Sequence, residues 1–314
     1  MRLTLVHNPE AGDDQPSRDE LVALARDAGY RVRYQDAHAK DWARALDGPA
    51  DVIVVAGGDG TVAKVAKQLV FRDVPVAIMP LGTANNIAIS LGAGGEPAAI
   101  IRGLADAATV TIALDVAQAR APWGTTCFVE SAGTGFFGNV LRRVSDDEAR
   151  SGTEKPTTPV QQAARNVLRA LGRYRPVHRH VLADGEDLSA AYLLVEAMNV
   201  RSIGPRMELA PAADPGDGYI DLVLVRETDR RALIDYLDSI ADGAPVIPAF
   251  ETRRAQRVSF VWDVADGHLD DEPWPEGGTE RSSATASAAV VEVEIEHPPV
   301  RVLVPAPDGH SSSI

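Results

Sequence analysis

The stretch Asp51-Val52-Ile53-Val54-Val55-Ala56, followed directly by Gly57-Gly58-Asp59-Gly60-Thr61, restricts the fold more than any other part of the chain. Its first half is nearly all apolar, as in a strand covered on both faces, and such strands belong to parallel sheets flanked by helices. The residues after the glycines place Val62, Val65, Ala66 and Leu69 on one side of a helix, with Lys64 and Lys67 elsewhere. The surroundings repeat this rhythm. Leu3–Val6 is a short apolar run that ends at Asn8-Pro9. Ser17 and Glu20 then form a capping-box pair that opens a helix carrying Leu21, Leu24, Ala25 and Ala28, and Gly29 stops it. Tyr30–Tyr34 alternates like a strand and Val74–Met79 is another apolar run. Ala84, Ile87, Ala88 and Leu91 mark a helix that ends at Gly92. The alternation predicts an α/β domain with a parallel sheet and helices on both faces.

After about Asp115 the pattern changes. Val116–Arg120 and Thr125–Glu130, joined through Ala121-Pro122-Trp123-Gly124, read as a hairpin. Further strand-like stretches fall near 177–183, 190–198, 219–225, 256–264, 289–295 and 300–304, with few helices between them. A second, mainly antiparallel β-rich domain is expected, with domains at 1–118 and 119–298. Segment 276–288 has few large apolar residues and reads as a loop, and the tail after Pro305 reads as frayed. There is no internal repeat.

With 314 residues, each domain has enough chain for its own core. A formal net charge of -14, from 45 acidic and 31 basic residues, argues against a nucleic-acid partner and gives no help at an anionic membrane. One cysteine, Cys127, excludes an intramolecular disulfide and two-cysteine metal motifs. The N-terminus lacks the apolar core of a signal peptide, and no apolar run approaches the length of a membrane span. Cytoplasmic placement is the expectation, with at most peripheral attachment to the inner face of the membrane.

Glycine turns between a strand and a helix can gather an anion, because their backbone N–H groups converge and the helix N-terminus adds partial positive charge. Gly57–Thr61 meets this description at the carboxyl end of a buried strand, where open α/β sheets bind ligands. It is not a Walker A loop, since no Gly-Lys-Ser/Thr follows. The plain alternative is a tight turn with Asp59 or Thr61 as an N-cap. Pro80-Leu81-Gly82-Thr83-Ala84-Asn85-Asn86 repeats the arrangement one strand later, and Asn8-Pro9-Glu10-Ala11-Gly12 does so at the first strand. Three such turns on consecutive parallel strands would converge on one edge of the sheet.

Together, Asn8-Pro-x-x-Gly12, Gly57-Gly-Asp-Gly-Thr61 and Pro80-x-Gly-Thr-x-Asn85-x-x-Ala88 resemble the diacylglycerol/lipid kinase catalytic domain, a family that includes bacterial diacylglycerol kinases and sphingosine kinases and is distantly related to NAD kinases. The resemblance implies ATP-dependent phosphorylation of a lipid hydroxyl, with Asn8, Gly57, Gly58, Asp59, Gly60, Thr61, Gly82, Thr83 and Asn85 holding ATP. It implies Mg²⁺ as well, and a return of segment 299–314, with Val300–Pro305, to the first domain. Gly133-Thr134-Gly135-Phe136 resembles the family's glycine-rich strand start, with Phe137 where an Asp is usual. Asp214-Pro-Gly-Asp217-Gly218-Tyr219 resembles its structural magnesium site, in which Asp214, Asp217 and the carbonyl of Tyr219 bind a hard cation. From spacing alone, that segment is equally a turn before the strand Ile220–Val225.

The family's catalytic Asp lies in an Asp-Gly-Glu motif of the second domain. Asp184-Gly185-Glu186 matches literally but precedes the strand Ala190–Met198, where a plain hairpin turn is common. Asp270-Asp271-Glu272-Pro273 falls in the right order, with Asp271 in place of glycine. The resemblance therefore assigns Asp270 as base and Glu272 as a magnesium or orienting carboxylate. Phe137 and Asp271 keep open a catalytically inactive nucleotide- or lipid-binding homologue, and a soluble acceptor such as NAD is the other alternative. Arg165, Arg169 and Arg173 form one basic face of an amphipathic helix that reads as solvated rather than lipid-bound, and His178 and His180 lack a third metal ligand. The expected partners are ATP, a lipid substrate and a transient membrane contact, and a homodimer is compatible with this reading.

Overall fold

The computed structural model describes residues 1–12, 16–106, 109–151, 160–263, 265–275 and 288–305; of the segment 276–288 expected as a loop all but Ala288, the first residue of a strand, lies outside them, as does the tail from 306. The chain divides into two compact units, Met1–Leu114 joined by the segment from Pro298, and Asp115–His297.

The first unit holds the α/β alternation. Its strands β1 (Arg2–His7), β2 (Arg31–Asp36), β3 (Val52–Gly57), β4 (Val76–Pro80) and β5 (Thr109–Leu114) join the C-terminal strand Val300–Pro305 in one sheet. The order is β2-β1-β3-β4-(300–305)-β5. Neighbours run parallel except for β5, which is antiparallel to Val300–Pro305. Every residue of β3 is buried, which its apolar composition anticipates. Four helices connect the strands: α1 (Arg18–Asp27), α2 (Asp59–Leu69), α3 (Asn86–Ser90) and α4 (Pro97–Gly103). The Ser17–Glu20 capping box is formed at the start of α1. Leu21 and Ala25 of α1 pack with Leu3, Leu5, Val54 and Met79 in the unit's core. Helix α3 begins two residues later than the apolar spacing suggests, because Asn85 takes a left-handed conformation (φ 55°) and acts as its N-cap.

The second unit is a β-sandwich with helices on one side. One sheet contains β6 (Ala117–Ala121) and β7 (Gly124–Phe128), which form the expected hairpin. The other has β8 (Ser131–Gly135) at its middle. Next come β9 (Val177–Arg179), β10 (Val181–Ala183), β11 (Glu186–Asp187) and β12 (Ala190–Met198). A short ribbon of β13 (Ser202–Ile203) and β14 (Met207–Glu208) follows. The remaining strands are β15 (Ile220–Arg226), β16 (Glu251–Ala255), β17 (Arg257–Asp263), β18 (Gly267–Leu269), β19 (Glu272–Pro273) and β20 (Ala288–Glu294). The sheets run β11-β10-β17-β20-β6-β7 and β16-β15-β12-β8-β18-β19, with β9 also on β12. Phe128, Tyr192, Phe260 and Trp262 fill the space between them.

The sequence reading underestimates helix here. Helices α5 (Phe136–Ser151), α6 (Val160–Leu171) and α7 (Arg230–Ala241) cover the outer face of the β8–β12–β15 sheet, packing Phe136, Val167, Leu171, Leu233 and Leu237 against Leu194 and Val223. Both faces of this sheet are therefore buried, and β12 and β15 read as continuous apolar runs rather than alternating ones.

The turn between β17 and β18 is fixed by Asp266. Its carboxylate accepts from Tyr174 Oη at 2.6 Å, Arg179 Nη2 at 3.2 Å and Asn139 Nδ2 at 3.2 Å, and its carbonyl accepts from Gly135 N at 3.2 Å. Arg179 and Asp266 are both buried. Replacing Asp266 with Ala leaves the guanidinium buried without its counter-charge. We expect a loss of about 3–5 kcal/mol, read as a lower midpoint in urea unfolding of the whole chain.

Candidate active site

In the first unit the three glycine turns lie at the carboxyl ends of the adjacent strands β1, β3 and β4. Asn8 is held by its own N–H on Ala56 O (2.9 Å), and its Nδ2 reaches Thr61 Oγ1 at 3.4 Å. Its Oδ1 accepts from Glu10 N, and Gly12 takes φ 74° to close the turn. Gly58 is the N-cap of α2, with no side chain to satisfy the first N–H groups of that helix. Gly57 also needs to lack a side chain, because a Cβ there would lie 2.8 Å from Thr61.

The β3 and β4 turns touch backbone to backbone. A Cβ on Gly82 would sit 2.4 Å from Gly58 Cα, so only glycine permits the approach. Leu81 N donates to Gly57 O at 3.0 Å. Gly82 and Asn85 bond reciprocally, Gly82 N to Asn85 Oδ1 at 2.9 Å and Asn85 Nδ2 to Gly82 O at 2.6 Å. Asp59 does not cap its own helix. Its Oδ1 accepts from Ile87 N of α3 at 2.9 Å, tying the second turn to the helix that follows the third. Thr83 and Gly60 are exposed on the same loops. All nine positions expected to hold ATP thus lie at the strand–helix junctions along one edge of the sheet: Gly57 ends β3, Asp59, Gly60 and Thr61 open α2, and the other five are in the turns.

In the second unit Asp270 and Asp271 form the two-residue turn between β18 and β19, with Leu269 opposite Glu272. The left-handed residue is Asp270 (φ 51°) and not Asp271, so the position where glycine is usual carries no backbone strain. The Asp270 carboxylate is buried. Its Oδ1 accepts from Val129 N at 2.9 Å and Glu130 N at 2.7 Å, and its own N–H donates to Ser131 O at 2.8 Å. Asn199 braces that loop from behind, donating to Val129 O (2.8 Å) and Asp115 O (2.9 Å). Glu272 is exposed at the start of β19. The literal motif Asp184-Gly185-Glu186 is instead the β10–β11 hairpin turn, where the Asp184 carboxylate accepts from Gln256 N and Arg257 N.

Behind Asp270 lies a pair that the sequence reading does not single out. His268 and Glu196 are both fully buried, with His268 Nε2 3.2 Å from Glu196 Oε2 and His268 Nδ1 2.9 Å from Asp270 O. Burial would lower the pKa of His268, but the Glu196 charge and hydrogen bond, with the Asp270 carbonyl, raise it overall. Phe137, where the family usually has Asp, sets its ring edge to face against His268 at 5.0 Å. The available signal was a lone Glu inside the apolar run of β12.

The loop 214–219 carries a second carboxylate group. Asp214 Oδ1 accepts from Gly216 N at 3.1 Å, and Asp217 Oδ1 accepts from Tyr219 N at 2.9 Å. Asp217 also pairs with Arg254 at 2.6 Å, and that guanidinium lies 3.9 Å from the centre of the Tyr219 ring. Two further acids stand nearby. Buried Asp115 accepts from Gly218 N at 2.7 Å; burial raises its pKa, and the charges on Asp217 and Asp214 add to the rise. Asp221 is pushed up to about 6 by burial and then by Asp217, against the opposing pull of Arg254. Among the described residues no three His, Cys, Asp or Glu side chains form a group that could hold a metal. The donors expected here, two carboxylates and one backbone carbonyl, are hard oxygens, and a cation would offset the charge repulsion that adds to burial in raising Asp115 and Asp221.

No helix among the described residues is long and apolar enough to cross a membrane. Residues 2–118 match the family described as diacylglycerol kinase catalytic domain, and residues 145–285 match the YegS C-terminal NAD kinase beta sandwich-like domain. A protein of Mycobacterium tuberculosis named "Diacylglycerol kinase" is 30% identical over 214 residues, 66% of each chain. One of Stenotrophomonas maltophilia, named "Probable lipid kinase YegS-like", is 28% identical over 87% of this chain and 90% of its own. Among solved structures, a diacylglycerol kinase of Bacillus anthracis superposes with a TM-score of 0.61 at 17% identity over 96% of both chains. Yeast NADH kinase gives 0.54 at 9% identity over 97% of this chain and 83% of its own. Glycine turns, antiparallel second unit and relatives agree: the chain belongs to the diacylglycerol kinase catalytic-domain family of lipid kinases.

Proposed function

We propose that the protein transfers the γ-phosphoryl group of ATP to a lipid hydroxyl, that of diacylglycerol or a close relative. The observation that carries this reading is the Gly58–Gly82 backbone contact, which brings two glycine turns and the N-terminus of α2 to one sheet edge without intervening side chains. Asn8, Gly57, Gly58, Asp59, Gly60, Thr61, Gly82, Thr83 and Asn85 are the proposed ATP-holding residues. The names carried by the relatives support a lipid acceptor.

Asp270 is the proposed general base. The two amides on Oδ1 hold the carboxylate in place, so that Oδ2 takes the hydroxyl proton as the new P–O bond forms and the bond to ADP breaks. Glu272 is the proposed magnesium or orienting carboxylate. Mg²⁺ would supply neutralisation of the charge on the transferred group. Asp214, Asp217 and the carbonyl of Tyr219 are proposed to hold a second, structural Mg²⁺. A catalytically inactive binding protein is the second reading, favoured by Phe137, an apolar ring closed over His268 where the family usually places a carboxylate.

Radiolabelled ATP offered with diacylglycerols, sphingoid bases and NAD decides between these readings. Labelled lipid is expected; labelled NAD instead would move the acceptor to the soluble class, and no labelled product would favour the inactive one. Asp270→Asn should lower kcat roughly 10²–10⁴-fold while leaving ATP affinity within about twofold. Full activity in that variant would remove Asp270 from the reaction.

Gly82→Ala forces Gly58 and Gly82 apart. We expect ATP affinity, measured by calorimetry, to fall about tenfold or more. Millimolar Mg²⁺ should raise Tm in the parent protein, and Asp217→Asn should abolish that rise, because binding to the folded state alone stabilises by mass action. An unchanged Mg²⁺ response in the variant would take the cation away from this loop.

A further inference from the structure

Three central strands of the second unit place Glu196, Gly133 and His268 side by side. Glu196 of β12 and His268 of β18 are both register partners of Gly133 on β8. Gly133 has no side chain, and the Glu196 carboxylate passes over it to reach His268. A Cβ on Gly133 would lie 2.1 Å from Glu196 Oε2 and 2.3 Å from its Cδ. The glycine is therefore the gap through which an acid on one strand reaches a base two strands away.

The bond chain has a fixed direction at one end. A carbonyl can only accept, so His268 Nδ1 carries a proton and donates it to Asp270 O at 2.9 Å. At the other end, Nε2 and Glu196 Oε2, 3.2 Å apart, share one more proton between them. Phe137 closes the ring face, and both side chains are inaccessible to solvent. Neither residue can touch a substrate from this position. What His268 touches is the carbonyl of Asp270, a residue in the left-handed region, where a non-glycine backbone needs support from its surroundings.

We propose that Glu196 and His268 are positioning residues for Asp270: Glu196, reaching through the gap at Gly133, orients the imidazole, and the imidazole locks the Asp270 carbonyl so that the carboxylate stays on the Val129 and Glu130 amides. The kinetic consequence rests on the assignment of Asp270 as base. The structural consequence does not, and the two are measured separately.

The test uses the full chain. In the double variant Glu196→Leu/His268→Leu an apolar pair replaces the polar one, which avoids leaving a buried charge alone. Hydrogen exchange at the Val129 and Glu130 amides should become about tenfold faster, the effect of losing one buried hydrogen bond. Lipid phosphorylation should lose about tenfold or more in kcat with the KM for ATP unchanged. Glu196→Gln/His268→Asn keeps an amide N–H near the place of Nδ1 with a neutral amide behind it, and should retain both protection and rate within about threefold.

If the leucine double variant does not fold, Gly133→Ala serves in its place: it displaces Glu196 without altering either polar residue, and the same two changes are expected. Undisturbed protection at Val129 and Glu130 in the folded variant overturns the proposal. So does a Glu196→Gln/His268→Asn protein that loses as much as the leucine double variant, since the imidazole would then act through bulk and not through its donor. Faster exchange in a protein whose parent phosphorylates no lipid leaves the positioning role standing and removes the kinase reading.

Discussion

Close contact between Gly58 and Gly82 is the constraint on which the loop edge of the first unit depends. Two turns that end adjacent parallel strands can meet only where neither carries a Cβ, and a Cβ on Gly82 would come within 2.4 Å of the facing backbone. Once they meet, the polar groups around them have few places to go. Asn85 folds back on Gly82, and Asp59 reaches across to cap α3. Asn8 comes within reach of Thr61 from the neighbouring strand. The side chains expected to bind a ligand here also build the loops, so the cradle is set in advance rather than shaped on binding.

The second unit solves a similar problem by other means. Its central sheet is buried on both faces, so any polar group within it needs an internal partner. Glu196 and His268 partner each other, and Asp266 gathers Tyr174, Arg179 and Asn139. One cluster holds the turn before the short strand β18; the other is centred on His268 within the strand and reaches the turn after it through the Asp270 carbonyl. A three-residue strand has little rigidity of its own, and these polar anchors hold it where apolar packing alone would allow sliding.

The sequence was most informative where local rules suffice. Apolar runs and glycine turns place β1, β3 and β4 and the loops after them, since a parallel sheet forces those loops to one edge. The capping box at Ser17 and Glu20 is a rule within one turn of helix, and it is met in the structure. Residues that act across strands were not legible. Glu196 and His268 are 72 positions apart, and their link depends on the missing side chain of Gly133, which sequence reading treats as part of a glycine-rich strand. Asp115 joins the loop at 214–219 only because the chain returns there in three dimensions, whereas Asp221 is two residues on and enters the group through its burial in β15. The helices α5 and α7 were passed over because strand-like runs on either side dominate the local pattern. The left-handed residue of this turn is Asp270 and not Asp271, a placement fixed by hairpin register and not by residue type.

The C-terminal strand gives the first unit an unusual history. Among the described residues β5 pairs in its sheet with Val300–Pro305 alone, and that strand is also what separates β5 from β4. During synthesis β4 and β5 are finished long before the strand that belongs between them, with the entire second unit, Asp115–His297, made in the interval. Until then two edges face outward with unpaired backbone groups, the condition in which strands recruit wrong partners. The strand Val300–Pro305 is thus a keystone: until it is made, the sheet of the first unit stays open between β4 and β5.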